Sequence, residues 1–237
     1  MKIHDHSKYP LTCLFSAHST TSCLIMFNLF NLRFFTIAVI KHFSNFKHRE
    51  VLPLYPKYSS PGLKVHLGSG TINLQGWVNI DTRQAPHIHL QANNFDLSEF
   101  NDNSIREIYM CHVLEHFSFV EVEKLLSNLH RKLSPGGVLR LSVPDFDQLI
   151  RIYQSNNNDI SSIRYALMGG QDYEYNFHKS VFNSSSLSDM LLSCGFKHLQ
   201  AWNTREDFGE NLGDWSNKSF KTFKGNIPVS LNIKGIK

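Results

Sequence analysis

Two glycines flanking a serine, Gly68-Ser69-Gly70, stand directly after a short apolar run, and an aspartate, Asp81, closes the next one. Residues without a Cβ let the backbone turn tightly and approach a ligand closely. A carboxylate at a strand end accepts two hydrogen bonds, as from a ribose diol. Further along come His112-Val-Leu-Glu-His116, Asp145 and His178, groups that bind or move protons. The glycines and the acid point to a nucleoside-type ligand, and the histidines to proton transfer beside it. Each residue also has a plainer use. Asp81 would serve as a turn acid, Asp145 would cap the helix that follows it, and a single histidine is more often structural than catalytic.

These residues need elements to position them. Short apolar runs predict strands at Leu63–Leu67, Trp77–Asp81, Ile88–Ala92, Ile105–Met110 and Val138–Val143. Ser118 and Glu121 have capping-box spacing. Val122, Leu125, Leu126, Leu129 and Leu133 then recur at helical intervals until Pro135-Gly136. A second helix is expected over Phe146–Tyr153, with Phe146, Leu149, Ile150 and Tyr153 on one side, and a third from Ser185 to Cys194, stopped by Gly195. His198–Trp202 and Val229–Lys234 are candidate late strands. Strands alternating with helices imply a mostly parallel sheet with helices on both faces. Ligands of such sheets bind beyond the carboxyl ends of the strands. That rule gathers Gly68–Gly70, Asp81, Asn93–Asp96, Cys111–His116 and Val143–Asp147 in one place. A dinucleotide-binding loop would carry a third glycine where Asn73 stands, and its acid about 20 residues on, which speaks against a NAD-dependent enzyme.

Charge is unevenly distributed. Residues 1–64 hold eight of the 24 Lys/Arg residues and two of the 20 acids, so the remainder, with 16 basic and 18 acidic residues, is slightly acidic. A nucleic-acid partner would need a clustered basic face there, and none is visible. The four cysteines are scattered without a C-x-x-C pair, which argues against a thiolate zinc site or a disulfide framework and suits a cytoplasmic protein. Residues 21–40 are rich in apolar and aromatic side chains with Arg33 inside and basic residues after. They read as a helix packed on the body, as a membrane-surface helix, or as a span or signal segment. Three prolines and a glycine between Val51 and Gly62 read as a linker. The boundary is therefore placed at 62/63, with residues 1–62 as an apolar and basic segment plus linker and 63–237 as the functional domain.

The ordered motifs Lys64-Val-His-Leu-Gly-Ser-Gly70, Gly76-Trp-Val-Asn-Ile-Asp81, Cys111-His-Val-Leu-Glu-His-Phe117, Leu133-Ser-Pro-Gly-Gly137, Ser142-Val-Pro-Asp145, Phe177-His-Lys179 and Leu191-Leu-Ser-Cys-Gly-Phe196 extend over about three quarters of the chain. Together they resemble the class I S-adenosylmethionine-dependent methyltransferases. The resemblance implies a Rossmann-like, three-layer fold whose seven-stranded sheet is mostly parallel, with the last strand pair antiparallel. It implies S-adenosylmethionine as cofactor, with Gly68, Ser69 and Gly70 under its methionine part and Asp81 on the ribose hydroxyls. It also implies that Asn93 or Asp96 holds the adenine amine, that Leu97 flanks the ring, and that Cys111 and His112 lie near the sulfonium. Asn93 replaces the usual acid, and His66 replaces the acid often found before the glycine loop. Candidate catalytic groups are His178, His112 and Asp145, with His178 favoured because it lies in the polar-aromatic run Tyr173–Lys179. The expected acceptor is a small molecule or glycan-type compound, and the rival reading is a non-catalytic methyltransferase-like module or scaffold. The string His112–His116 also matches the H-x-x-E-H pattern of inverted zinc peptidases, and a glutamate–histidine pair there would suit a divalent metal. The preferred reading gives Glu115 and His116 no metal and places them in a first helical turn at the pocket rim.

Overall fold

The computed structural model describes residues 62–237. The apolar segment 21–40 and the linker up to residue 61 lie outside them. The described residues build nine strands: β1 (Leu63–Leu67), β2 (Val78–Asp81), β3 (Leu90–Gln91), β4 (Ile105–Cys111), β5 (Leu133–Pro144), β6 (Lys197–Ala201), β7 (Ser219–Thr222), β8 (Gly225–Pro228) and β9 (Ser230–Ile236). The α-helices are α1 (Phe119–Lys132), α2 (Phe146–Ser155), α3 (Arg164–Met168), α4 (Ser184–Ser193) and α5 (Thr204–Phe208).

Seven strands form one sheet in the order β3-β2-β1-β4-β5-β9-β6, while β7 and β8 pair as a separate hairpin. All neighbours from β3 to β5 are parallel, and β9 runs antiparallel to both β5 and β6. This is the mostly parallel class I arrangement expected from the motifs. The chain winds outward from β1 in one direction through β2 and β3, then returns to β4 on the other side. The crevice between β1 and β4 is therefore the place where a doubly wound sheet opens to a ligand.

Alternation along β4 sorts the two faces of the sheet. Ile108 and Met110 join the main core, while Tyr109 points the other way. The main core packs β1, β4 and β5 against the inner faces of α1 and α4, through Val122, Leu126, Leu129, Leu187 and Leu191. The opposite face is covered by an aromatic cluster of Trp77, Tyr109, Trp202 and Phe208. Tyr109 is fully buried and donates its hydroxyl to Asp214 at 2.5 Å, which anchors the loop after α5 to the sheet.

Helix α1 follows its local signals. The Ser118 N–H donates to the Glu121 carboxylate at 2.8 Å, and the helix stops at Lys132, ahead of Pro135-Gly136. Two expectations shift, and one element is new. The third strand shrinks to two residues because Ile88 N–H closes a turn onto Ala85, which takes it out of the ladder. In α2 the buried residues are Leu149 and Ile152, whereas Phe146 and Ile150 are exposed, because the helix packs on Ile163, Ala166 and Val229 rather than on the sheet. The hairpin β7–β8 was not anticipated; its four-residue strands carry a single buried position each. No helix among the described residues is long and apolar enough to cross a membrane.

Candidate active site

The glycine turn and the acid meet where β1 and β2 end. Gly68 N–H and Ser69 N–H both donate to the Ile80 carbonyl, at 2.8 and 3.1 Å, which folds the turn back onto β2. Gly70 N–H then donates to Asp81 Oδ2 at 2.7 Å, and Arg83 N–H to Oδ1 at 2.9 Å. Gly68 (φ +64°) and Gly70 (φ +57°) adopt the left-handed conformation. A Cβ on Gly68 would run into the Val113 side chain. The loop thus has a backbone concavity that only glycine can line, beside a carboxylate that is 5% exposed.

The turn opens into a cavity of about 610 Å³. Its walls include His66, Ser69, Asn93, Cys111, His112 and His178, so these expected site residues do come together with Gly68, Gly70 and Asp81. Three do not. Asp96 turns outward and caps the next turn, accepting from Ser98 N–H at 3.0 Å. Leu97 belongs to the main core. Asp145 is a helix cap, accepting from Asp147 N–H at 3.0 Å, and is absent from the cavity wall. Phe95 stands where Leu97 was expected, and His116, Tyr173 and Trp215 also line the cavity. Trp215 follows Asp214 at the start of a single 3-10 turn, Trp215–Asn217, with no periodicity to mark it.

His66 is buried under the turn, its ring stacked on Tyr109 at 5.0 Å and its Nδ1 3.3 Å from Asn79 Oδ1. Burial lowers its pKa to about 4. The folded protein therefore keeps His66 neutral between pH 6.5 and about 4, where the unfolded chain takes up a proton. Its contribution to stability is full above pH 6.5 and declines as pH falls through that window, by up to about 3 kcal/mol. In His66→Phe, which keeps the ring stacking but cannot titrate, the acid decline in the unfolding free energy from urea titrations should be shallower by that amount. Parallel pH profiles for the two proteins would refute this role for His66.

The far wall is a histidine cluster around Glu115. The H-x-x-E-H string starts directly after β4 and ends in a single 3-10 turn, Leu114–His116, so the helix-borne histidine pair of a zinc peptidase is not formed. His112 has a left-handed backbone (φ +53°), held by its N–H donating to Ser142 at 2.8 Å; non-glycine residues of this kind concentrate at functional sites. Its Nε2 lies 2.8 Å from Ser230 Oγ, and burial with the neighbouring His178 and His116 holds its pKa down to about 3. Burial also lowers His178 to about 4 and lifts Glu115 to about 8. The same burial drives the Cys111 thiol upward, so it is no nucleophile at neutral pH.

A family model described as a methyltransferase domain matches residues 62–201. The chain belongs to that family and is a methyltransferase enzyme with S-adenosylmethionine as its cofactor. Solved structures with a similar fold include a SAM-dependent methyltransferase from Archaeoglobus fulgidus, 12% identical, with a TM-score of 0.47 over 89% of this chain and 100% of that one. A possible histamine N-methyltransferase from Thermotoga maritima is 16% identical, with a TM-score of 0.45 over 75% and 83% of the two chains. A SAM-dependent methyltransferase from Methanosarcina mazei is 17% identical, with a TM-score of 0.46 over 78% and 98%. No curated protein matches the chain. The concavity at Gly68, closed to any larger residue, and the buried acid beside it fit this cofactor.

Proposed function

We propose that the enzyme methylates a small-molecule acceptor held between the glycine turn and the histidine wall. The observation that carries this reading is that Gly68, Asp81 and the histidines open into one cavity. Its volume lies in the range of small-molecule sites, and the aromatic rings of Tyr173 and Trp215 suit a compact organic acceptor. In this reading Gly68 and Gly70 leave room for the methionine part, Asp81 accepts from the ribose hydroxyls, and Asn93 and Phe95 take the adenine. Cys111 and His112, which line the same cavity, would lie on the side of the reacting sulfur.

When bound, the cofactor supplies a methyl group on a positively charged sulfur. A hydroxyl acceptor of that methyl group would have to give up its proton to a group of this chain. Neutral imidazoles at His116 and His178 offer lone pairs at this end of the cavity, and their rigid placement orients the acceptor. A cytoplasmic location belongs to the same proposal and is supported by the free thiols of Cys111 and Cys194.

Calorimetry tests the reading. S-adenosylmethionine and its demethylated product should each bind one site per chain, with Kd between about 1 µM and 1 mM. A screen of small hydroxylated acceptors should release the demethylated product. Failure of both nucleosides to bind would remove the reading.

A further inference from the structure

We propose that Glu115, His116 and His178 form a binding site for one divalent first-row transition metal, set in the acceptor wall of the cavity. The proposal deepens the function above and rests on it for the identity of the cavity. Where the sequence alone favoured no metal, the geometry supplies three independent reasons for one.

The first is the donor set. The ligand atoms of these three residues all lie within 4.8 Å of one another, and His178 Nε2 is 3.9 Å from Glu115 Oε1. A metal with bonds of about 2.0–2.2 Å holds tetrahedral ligand atoms roughly 3.3–3.6 Å apart, so the set closes on an ion once its side chains move inward by about 1 Å.

The second is an unsatisfied buried carboxyl group. The Glu115 side chain is 1% exposed, and neither carboxylate oxygen has a hydrogen-bond partner. His112 Nδ1 comes within 3.3 Å of Oε1, but off hydrogen-bond geometry, and its other nitrogen lies against Ser230. A fully buried carboxyl group with no hydrogen-bond partner is costly in a protein interior. A cation beside it, held by two further ligands, is the partner with the right charge.

The third is the orientation of the imidazoles. His116 Nδ1 lies 3.2 Å from the Phe177 carbonyl oxygen, and His178 Nδ1 lies 3.0 Å from that of Ala166. A carbonyl oxygen only accepts, so both rings carry their proton on Nδ1 and present the lone pair on Nε2. This is the outer-shell arrangement that fixes a metal-binding histidine in its ligating tautomer. Lys179 N–H and Ser180 N–H both donate to the Glu115 carbonyl, at 2.8 and 3.1 Å, and lock the segment carrying His178 to the turn carrying the other two. Two imidazoles and one carboxylate favour zinc, cobalt, iron or manganese over magnesium or calcium, whose preferred ligands are all oxygen. His116 and His178 line the cavity, so the open coordination positions face the acceptor. An acceptor with two adjacent oxygens, such as a vicinal diol, a catechol or an α-hydroxy acid, would bind there and have its hydroxyl acidified.

The test uses the full chain, stripped by a chelator, dialysed and titrated with Zn²⁺ by calorimetry and with Co²⁺ by visible absorption. One equivalent of Zn²⁺ per chain and Co²⁺ bands of a nitrogen- and oxygen-ligated ion are expected. Glu115→Gln and His116→Gln should each weaken Zn²⁺ binding by more than about 100-fold, beyond what loss of an outer-shell partner does. Glu115→Gln should still bind S-adenosylmethionine as the wild type does, which also shows that it folds. A wild-type chain that takes up neither ion while binding S-adenosylmethionine overturns the metal site and leaves the function intact. Uptake unchanged by both substitutions overturns it equally, since the ion would then sit elsewhere among the histidines. Loss of nucleoside binding in the wild type would instead strike the function itself.

Discussion

Replacing Gly68 with alanine is expected to abolish measurable S-adenosylmethionine binding, lowering affinity by at least about 100-fold, and to destabilise the fold. Two separate causes act. The backbone at Gly68 has φ +64°, where any residue with a Cβ is strained by roughly 1–2 kcal/mol. The added methyl also collides with Val113, and overpacking of this kind costs about 1–3 kcal/mol. Together they predict a loss of about 2–5 kcal/mol, or a drop in Tm on the order of 10 °C for a domain of this size. The two causes can be separated. In the double variant Gly68→Ala/Val113→Ala the collision is relieved but the φ strain stays, so stability should recover only in part. Cofactor binding should stay weak, because the turn cannot keep its shape. Calorimetry and a thermal melt on the three proteins decide the matter. Undiminished binding by Gly68→Ala would mean that the concavity lies elsewhere.

The glycines were legible in the sequence for the reason that makes this substitution severe: a turn with no Cβ directly after an apolar strand has few other uses. The same holds for Asp81, whose place at the end of the next strand set it beside Gly70, and for α1, whose capping pair and leucine spacing are local signals. What local patterns missed depends on packing between distant segments. Asp96 and Leu97 were chosen by their position after the third strand. In that loop, where Phe95 and Leu97 both take positive φ, Phe95 touches both the core and the cavity while Leu97 belongs to the core alone. The inner face of α2 was misread because Phe146 and Ile150 share a helical stripe with Leu149, yet the helix packs on α3 and the end of β8–β9. The histidine cluster was half legible. His112, Glu115 and His116 are close in the chain, but His178 reaches them only because the segment after α3 folds back through the Glu115 carbonyl. No spacing rule announces such a contact.

Asp81 carries the second large effect. Its two oxygens do different things: Oδ2 accepts from Gly70 N–H at 2.7 Å and shapes the turn, while Oδ1 accepts from Arg83 N–H at 2.9 Å. Asp81→Asn keeps the volume but turns an amide NH₂ toward one of these N–H groups, setting donor against donor. Hydrogen bonds to a charged group are worth about 1.5–3 kcal/mol each. Asp81→Asn should therefore weaken S-adenosylmethionine and its demethylated product alike by roughly 10- to 100-fold, since the ribose is common to both. Asp81→Ala should do worse, because both N–H groups lose their acceptor and the turn its anchor. The Arg83 side chain provides the control. Its guanidinium sits 3.4 Å from Oδ1 but is 56% exposed, and an exposed ion pair contributes at most about 1 kcal/mol. Arg83→Ala should thus change both dissociation constants less than about sixfold. If Arg83→Ala were as damaging as Asp81→Asn, the carboxylate would act mainly through its arginine, and the ribose contact assigned to it would fall.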